Sequence, residues 1–294
     1  MQLRHLRTFS AVAETLNFTR AGERIHLAQS SVTEQIQALE SDLGVALFDR
    51  SRRRLALTPA GERLAFYAAE MLRLAGEARS AVVEAAGTVS GKLVVGGLET
   101  LCATRLPRLL ATFHRLHPAV ELTLETADSG SLHSGVKSGD LDVGFFFGDA
   151  RDGSNFRSEA VARDELMVML PPNHRLVGHG EIEPADLASE AFLVTRPGCI
   201  YRRLFDEAFA DSPSGRPKLV GEFASIGSIR GLVHAGLGCA LAPRTALEGG
   251  PDGLAAVPWV GRQRSAPVTM LWRGGRPAAA TAAFLAVARK DFGA

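Results

Sequence analysis

Arg50, Arg52, Arg53 and Arg54 fall within five residues of one another. Guanidinium groups packed so closely repel unless an anion is near, and phosphate is the natural partner because its oxygens match the guanidinium fork. A little upstream, Gln29, Ser30, Ser31, Thr33, Glu34, Gln35 and Gln37 form a polar run. A solvated helix face normally favours Lys and Glu. This one offers mostly hydroxyls and amides, which both donate and accept hydrogen bonds, and that suits reading base edges in a major groove. The bland alternatives are a solvated loop and a polar surface helix. The closeness of the two groups favours a nucleic-acid module, with double-stranded DNA as partner.

A second set of residues suggests small-molecule binding. Thr100, Ser129, Gly198-Cys199 and Ser225-Ile226 each fall between an expected strand and an expected helix. Such turns offer free backbone N–H groups, mostly with a hydroxyl, and favour a small anion such as a carboxylate. Each alone reads as an ordinary helix cap; together they form a site if the fold makes them converge. Leu101 opens the helix after Thr100, and Phe147 ends a strand where it could line a cleft. Arg196 and Arg202 flank the third turn and could pair with an anion or lie on the surface. Catalytic signatures are missing: there is no G-x-S-x-G, H-E-x-x-H or P-loop, and Gly236-Leu237-Gly238 is not a dinucleotide fingerprint. His114, His117 and His133 lack metal-ligand spacing. No enzyme activity, cofactor or metal is expected.

Elements must position these groups. Leu6, Phe9, Ala13 and Leu16 mark one face of a helix over 3–16. Thr19 is expected to cap a second helix that includes Arg20. Val32, Ile36, Leu39 and Leu43 give the third, over 29–43, a core-facing side, and Gly44 stops it. Leu47-Phe48 and Leu55–Leu57 read as two short strands with the arginines at the tip. Thr58 and Pro59 start a long helix as N-cap and first residue. Along it Leu64, Ala68, Met71, Ala75, Ala78, Val82, Ala85 and Val89 recur in steps of four and three, a heptad seam that pairing with another copy would bury. A helix of about 28 residues would run ~42 Å.

From Gly91 onward strands and helices alternate. Strands read at 93–97, 120–125 and 142–147, with helices at 101–116 and 130–138. A second unit has strands near 165–170, 192–195, 218–222 and 239–242, with helices near 201–210 and 226–235. A strand at 268–272 and a helix at 277–291 close the chain. This is the pattern of a parallel α/β unit, twice over.

Bulk properties set bounds. At 294 residues more than one domain is expected, and 46% apolar content is ordinary. Net charge is +1 overall, and residues 1–60, with eight Arg against six Asp and Glu, carry only +2. Placement of charge, not its amount, must therefore carry the DNA argument. Three scattered cysteines suit neither a disulfide framework nor a zinc finger. No apolar run is long enough to span a bilayer and the N-terminus has no secretory h-region, so a cytoplasmic location is expected.

The blocks Phe18–Ala21, Gln29–Ile36, Leu39-Glu40, Leu43-Gly44, Leu47–Arg50 and Leu57–Gly61 resemble the N-terminal domain of LysR-type transcriptional regulators, nearly continuously over 3–64. Leu93–Gly96 with Leu106-Pro107, Gly139–Gly144 and Val233–Gly238 are similar to landmarks of that family's effector domain. The resemblance implies an α/β protein with an N-terminal winged helix-turn-helix (1–58), a long linker and dimerisation helix (59–90), and a two-lobed, periplasmic-binding-protein-like effector domain (91–294). Lobe I would take 91–160 and 266–294, lobe II 161–265. It implies a homotetramer built as a dimer of dimers. It also implies that Gln29, Ser30, Ser31, Thr33 and Gln35 lie at or beside base edges, and Arg50, Arg52 and Arg53 at phosphates or the minor groove. Thr100, Ser129 and Ser225 fall on the family's usual effector positions. Many members have Pro at the position of Ser30 and Arg at that of Glu34; an acid there could accept from a cytosine amino group. Cys199 falls close to where the family's peroxide-sensing branch keeps its reactive cysteine, but no second cysteine occurs in 200–238. The readings weighed are a ligand-responsive regulator, a single-thiol redox regulator using Cys199, and a solute-binding protein with a structural N-terminal block.

Overall fold

The computed structural model describes residues 1–50, 55–84, 89–150, 153, 155–210, 212–213, 215–249 and 253–293. Two units divide the chain, Met1–Val89 and Ser90–Ala294.

The first unit is built on α1 (Leu3–Thr15), α2 (Phe18–Ile25) and α3 (Gln29–Leu43), the strands β1 (Phe48–Asp49) and β2 (Ala56–Leu57), and α4 (Pro59–Glu84). Leu6, Phe9, Val12, Val32, Ile36 and Leu39 are essentially fully buried and form its core. Leu43 does not join them: it is 38% exposed, because the chain turns off at Gly44 (φ +69°) one step later. Asn17, not Thr19, caps α2. Its side chain accepts from the Thr19 and Arg20 N–H groups at 2.9 and 3.0 Å, so Thr19 and Arg20 lie inside the first turn. Gly22 lets α2 close on α3, since a Cβ there would lie 2.6 Å from the Leu27 carbonyl oxygen. β1 and β2 pair antiparallel. Thr58 does cap α4: its hydroxyl accepts from Gly61 N–H at 3.1 Å and donates to the Ala46 carbonyl at 2.8 Å.

The α4 seam is split. Leu64 and Ala68 pack on the unit's own core, Ala68 fully buried. From there Met71, Leu74 and Val82 are exposed, as are Phe66 and Tyr67. Ala85 lies outside the described residues.

In the second unit β3 (Gly91–Gly97), β4 (Val120–Thr126) and β5 (Val143–Phe147) run parallel. The helix expected over 101–116 is two, α5 (Glu99–Ala103) and α6 (Arg105–Leu116), broken at Thr104. α7 (Ser129–Ser138) follows β4. The strand expected near 165–170 begins much earlier: β6 (Phe156–Leu170) is 15 residues long. Its first part pairs antiparallel with β11 (Ser265–Arg273), itself antiparallel to β5. Its last part pairs with β9 (Ala240–Pro243) and with β10 (Ala255–Pro258), a strand not anticipated. β7 (Ala191–Thr195) and β8 (Lys218–Phe223) run parallel, and one bridge, Phe192 to Cys239, ties them to β9. α8 (Ile200–Ala208), α9 (Ile226–His234) and the closing α10 (Ala279–Phe292) complete the unit.

Two lobes result, one on β4-β3-β5-β11 and one on β9, β10, β7 and β8, with β6 running through both. Their sheets are therefore mixed rather than purely parallel. The antiparallel members are the two strands at the crossing, where Leu166 N–H donates to Arg264 and Trp259 N–H to Leu166.

Candidate functional site

In the first unit, α3 presents Gln29, Ser30, Glu34 and Gln37 to solvent, with Ser31, Thr33 and Gln35 half-buried beside them. Several of these already have partners. Thr33 Oγ1 donates to the Gln29 carbonyl at 3.0 Å and accepts from Gln29 Nε2 at 2.9 Å. Gln35 Oε1 accepts from Thr8 Oγ1 at 2.7 Å, which pins α3 to α1. Ser30 and Glu34 are thus the exposed groups best placed for an outside partner. Arg50 is held from two sides: Nη2 donates to Glu40 Oε2 at 2.9 Å, and its guanidinium lies 5.4 Å from the centre of the Phe18 ring. The other oxygen of Glu40 accepts from Leu47 and Phe48 N–H at 2.8 and 3.2 Å. One carboxylate therefore fixes both the approach to β1 and the arginine beyond it. Glu40 belongs to the block that carries the family resemblance, but nothing local signals this role, since its partners lie seven to ten residues away. Arg52 and Arg53 lie outside the described residues.

In the second unit a cleft of about 520 Å³ opens between the lobes, within the usual size range of small-molecule sites. Ser129, Gly198, Cys199, Ser225 and Ile226, all singled out from sequence, line it. So does the start of each helix at the cleft: Leu98, Asp128, Cys199 and Ser225 stand at the N-cap positions of α5, α7, α8 and α9. Ser129 is not the cap of α7. Asp128 is, accepting from Ser131 N–H and Oγ, both at 2.9 Å. Those hydrogen bonds, the backbone one first, hold its carboxyl below the usual range, so it stays charged. Ser225 Oγ accepts from Ser228 N–H at 3.1 Å. Cys199 makes no capping hydrogen bond, which leaves the first N–H groups of α8 open.

Thr100, Leu101 and Phe147 are buried and do not line the cleft. Tyr201, which does, contacts Thr100 and Phe147. Its hydroxyl hydrogen-bonds Thr100 Oγ1 from the opposite lobe, and its ring centre lies 6.2 Å from that of Phe147. Burial pushes the Tyr201 phenol well above its ordinary value, so it remains a neutral hydroxyl. Thr100 and Tyr201 are 101 residues apart, and no local pattern announces such a pair. Arg196 lines the cleft, whereas Arg202 is committed to Asp206 at 3.1 Å and Glu222 at 2.5 Å. Its pKa is raised chiefly by the hydrogen bond to Glu222.

Among the described residues one group could hold a metal: His174, Glu190 and Cys239. Its hydrogen bonding is complete without one. Leu176 N–H donates to His174 Nδ1 at 3.3 Å, so Nε2 carries the proton and donates to Glu190 Oε2 at 3.0 Å. Burial, then the Glu190 charge, pushes the Cys239 thiol up to about 12. Two of the three histidines noted in the sequence pack on aromatic rings, His133 against Phe146 and Phe156 and His117 against Phe113, while His114 is exposed.

A helix-turn-helix unit and a two-lobed α/β unit with an inter-lobe cleft define a class, the one-chain regulator that couples a DNA-reading module to a binding domain. The comparisons agree. Residues 3–62 match the model of the bacterial regulatory helix-turn-helix protein, LysR family, and residues 86–293 match the LysR substrate binding domain. The uncharacterized HTH-type transcriptional regulator YwqM of Bacillus subtilis is 34% identical over 249 residues, 84% of each chain. GltR of the same organism is 33% identical over 83% of this chain and 80% of its own. Among solved structures, full-length CbnR in complex with its target DNA has a TM-score of 0.69 at 26% identity, covering 99% of this chain and 100% of that one. A full-length OxyR variant from Pseudomonas aeruginosa shares the fold with a TM-score of 0.76 at 24% identity, covering 99% and 94%. The chain belongs to the LysR family of DNA-binding transcriptional regulators, with an N-terminal helix-turn-helix domain and an effector-binding domain.

Proposed function

We propose that the protein senses a small carboxylate-bearing molecule in the cleft between its lobes and thereby alters how its helix-turn-helix domains engage an operator. The observation that carries this is the cleft itself, where uncapped N–H groups of α8 stand beside Arg196. Ser129, Gly198, Cys199, Ser225 and Ile226 would contact the ligand; Thr100, Leu101 and Phe147 would shape the cleft through Tyr201. On the DNA side Ser30 and Glu34 would meet base edges, with Gln29, Ser31, Thr33 and Gln35 at their flanks. Thr19 and Arg20 at the start of α2, together with Arg50, Arg52 and Arg53, would meet phosphates. Domain limits are taken as 1–58, 59–90 and 91–294. Pairing through α4 would give dimers and, by analogy with the family, a dimer of dimers. The protein would act in the cytoplasm, without catalysis. A single-thiol sensor using Cys199 is a second reading, supported by its place on the cleft wall.

The test is a gel shift with DNA from upstream of the protein's own gene. Salt-sensitive binding with a preference over random DNA, weakened by Arg50→Ala, is expected; equal binding to both DNAs would overturn the reading. Unchanged DNA binding after peroxide treatment would remove the thiol sensor.

A further inference from the structure

The two walls of the cleft carry opposite charge. On the first lobe Glu99 and Asp128 line it; on the second, Arg196 and the open start of α8. Asp128 already satisfies the start of α7 with its own carboxylate, so that helix end offers nothing to an anion. A ligand bearing only carboxylates would meet attraction on the second lobe and repulsion on the first. Like charges on the ligand and on that wall oppose such binding. Two hydroxyls also remain unpaired, Ser129 Oγ on the cleft wall and Thr195 Oγ1, buried immediately before Arg196. Both can donate or accept. Apolar surface comes from Leu98, Ile200, Tyr201 and Ile226.

We infer that the effector is a small zwitterion of the α-amino-acid class, its carboxylate on the start of α8 beside Arg196 and its ammonium on Asp128 and Glu99. This rests on the proposed ligand-sensing cleft and narrows it. Each charge of the ligand is held by a different lobe, so binding draws the lobes together, which a simple carboxylate would not do. Closure of Thr100 behind Tyr201 limits the side chain to what the apolar wall can cover.

The experiment is thermal shift followed by calorimetry on the full chain. The probes are matched pairs: each common α-amino acid and the same acid lacking the amino group, such as alanine with propionate, glutamate with glutarate and phenylalanine with 3-phenylpropionate. At least one amino acid should raise the melting temperature while its des-amino partner does not. Asp128→Asn, which keeps a helix-capping side chain, and Glu99→Gln should each weaken that binding by roughly ten- to a hundredfold, the loss of one charge-assisted contact. Arg196→Met should do the same. If the des-amino acids bind as well or better, or if no amino acid shifts the protein, the zwitterion is overturned. The cleft reading fails separately, if a molecule that binds is indifferent to Arg196→Met, Asp128→Asn and Glu99→Gln alike.

Discussion

Glu40 shows how one side chain decides what an arginine can do. Its carboxylate is mostly buried and serves Leu47 N–H, Phe48 N–H and Arg50 together. Glu40→Ala would strand two backbone donors and a guanidinium, and each lost hydrogen bond to a charged group costs about 1.5–3 kcal/mol. We expect destabilisation of about 2–4 kcal/mol, read by chemical denaturation, and a loss of DNA affinity larger than that of Arg50→Ala. If Glu40→Ala unfolds like the wild type, the carboxylate is not the organiser of this region. The hydroxyl pair Thr100 and Tyr201 allows a cleaner measurement. Tyr201→Phe leaves the Thr100 hydroxyl buried and alone, Thr100→Val does the reverse, and the double change removes both. A double-mutant cycle on stability should give a coupling of about 1 kcal/mol; additivity would mean the contact contributes nothing. Gly61 belongs here too, since a Cβ would lie 2.2 Å from the Leu47 carbonyl oxygen. Gly61→Ala should destabilise by about 1–3 kcal/mol through forced overpacking, seen as a lowered melting temperature.

At the scale of elements, what periodicity could and could not reveal follows from which contacts are local. The helix at 29–43 was legible because Val32, Ile36 and Leu39 all point to one core. Asn17 and Asp128 were legible in principle, both being strong N-cap residues, but a hydroxyl one or two positions later drew the assignment to Thr19 and Ser129. The first half of β6 is hidden in the sequence because residues 156–164 are mostly charged or small and lack an alternating apolar pattern; pairing with β11 makes them a strand. Of the cleft, the four turns could be found in sequence; Tyr201 could not, because its partner comes from the other lobe. The heptad seam of α4 points to pairing with another copy, yet its first part seals the helix-turn-helix core. Exposed Tyr67, Met71 and Leu74 then form a stripe with steps of four and three, and Val82 is exposed two turns further on. Leu74, 61% exposed, contributes nothing visible to its own unit. Leu74→Glu should therefore dissociate the oligomer in sedimentation velocity while leaving the melting of the N-terminal core unchanged. A variant that stays associated would place the subunit contact elsewhere.

For the whole molecule the question is how a ligand in the cleft reaches the operator, and thermodynamics constrains the answer before geometry does. A ligand shifts DNA affinity only by its differential affinity for two states of the assembly, and the operator must shift ligand affinity by the same factor. Such coupling needs a physical element common to both events. β6 passes through both lobes, while α4 carries the unpartnered stripe. If paired α4 helices transmit the change, ligand affinity measured by calorimetry with and without operator DNA should differ by about 5–150-fold, the usual span of such couplings. Leu74→Glu should collapse that ratio toward one while leaving ligand affinity in the absence of DNA unchanged. A ratio that survives loss of the oligomer would mean that each chain transmits alone and that the paired helix only sets the spacing of half-sites.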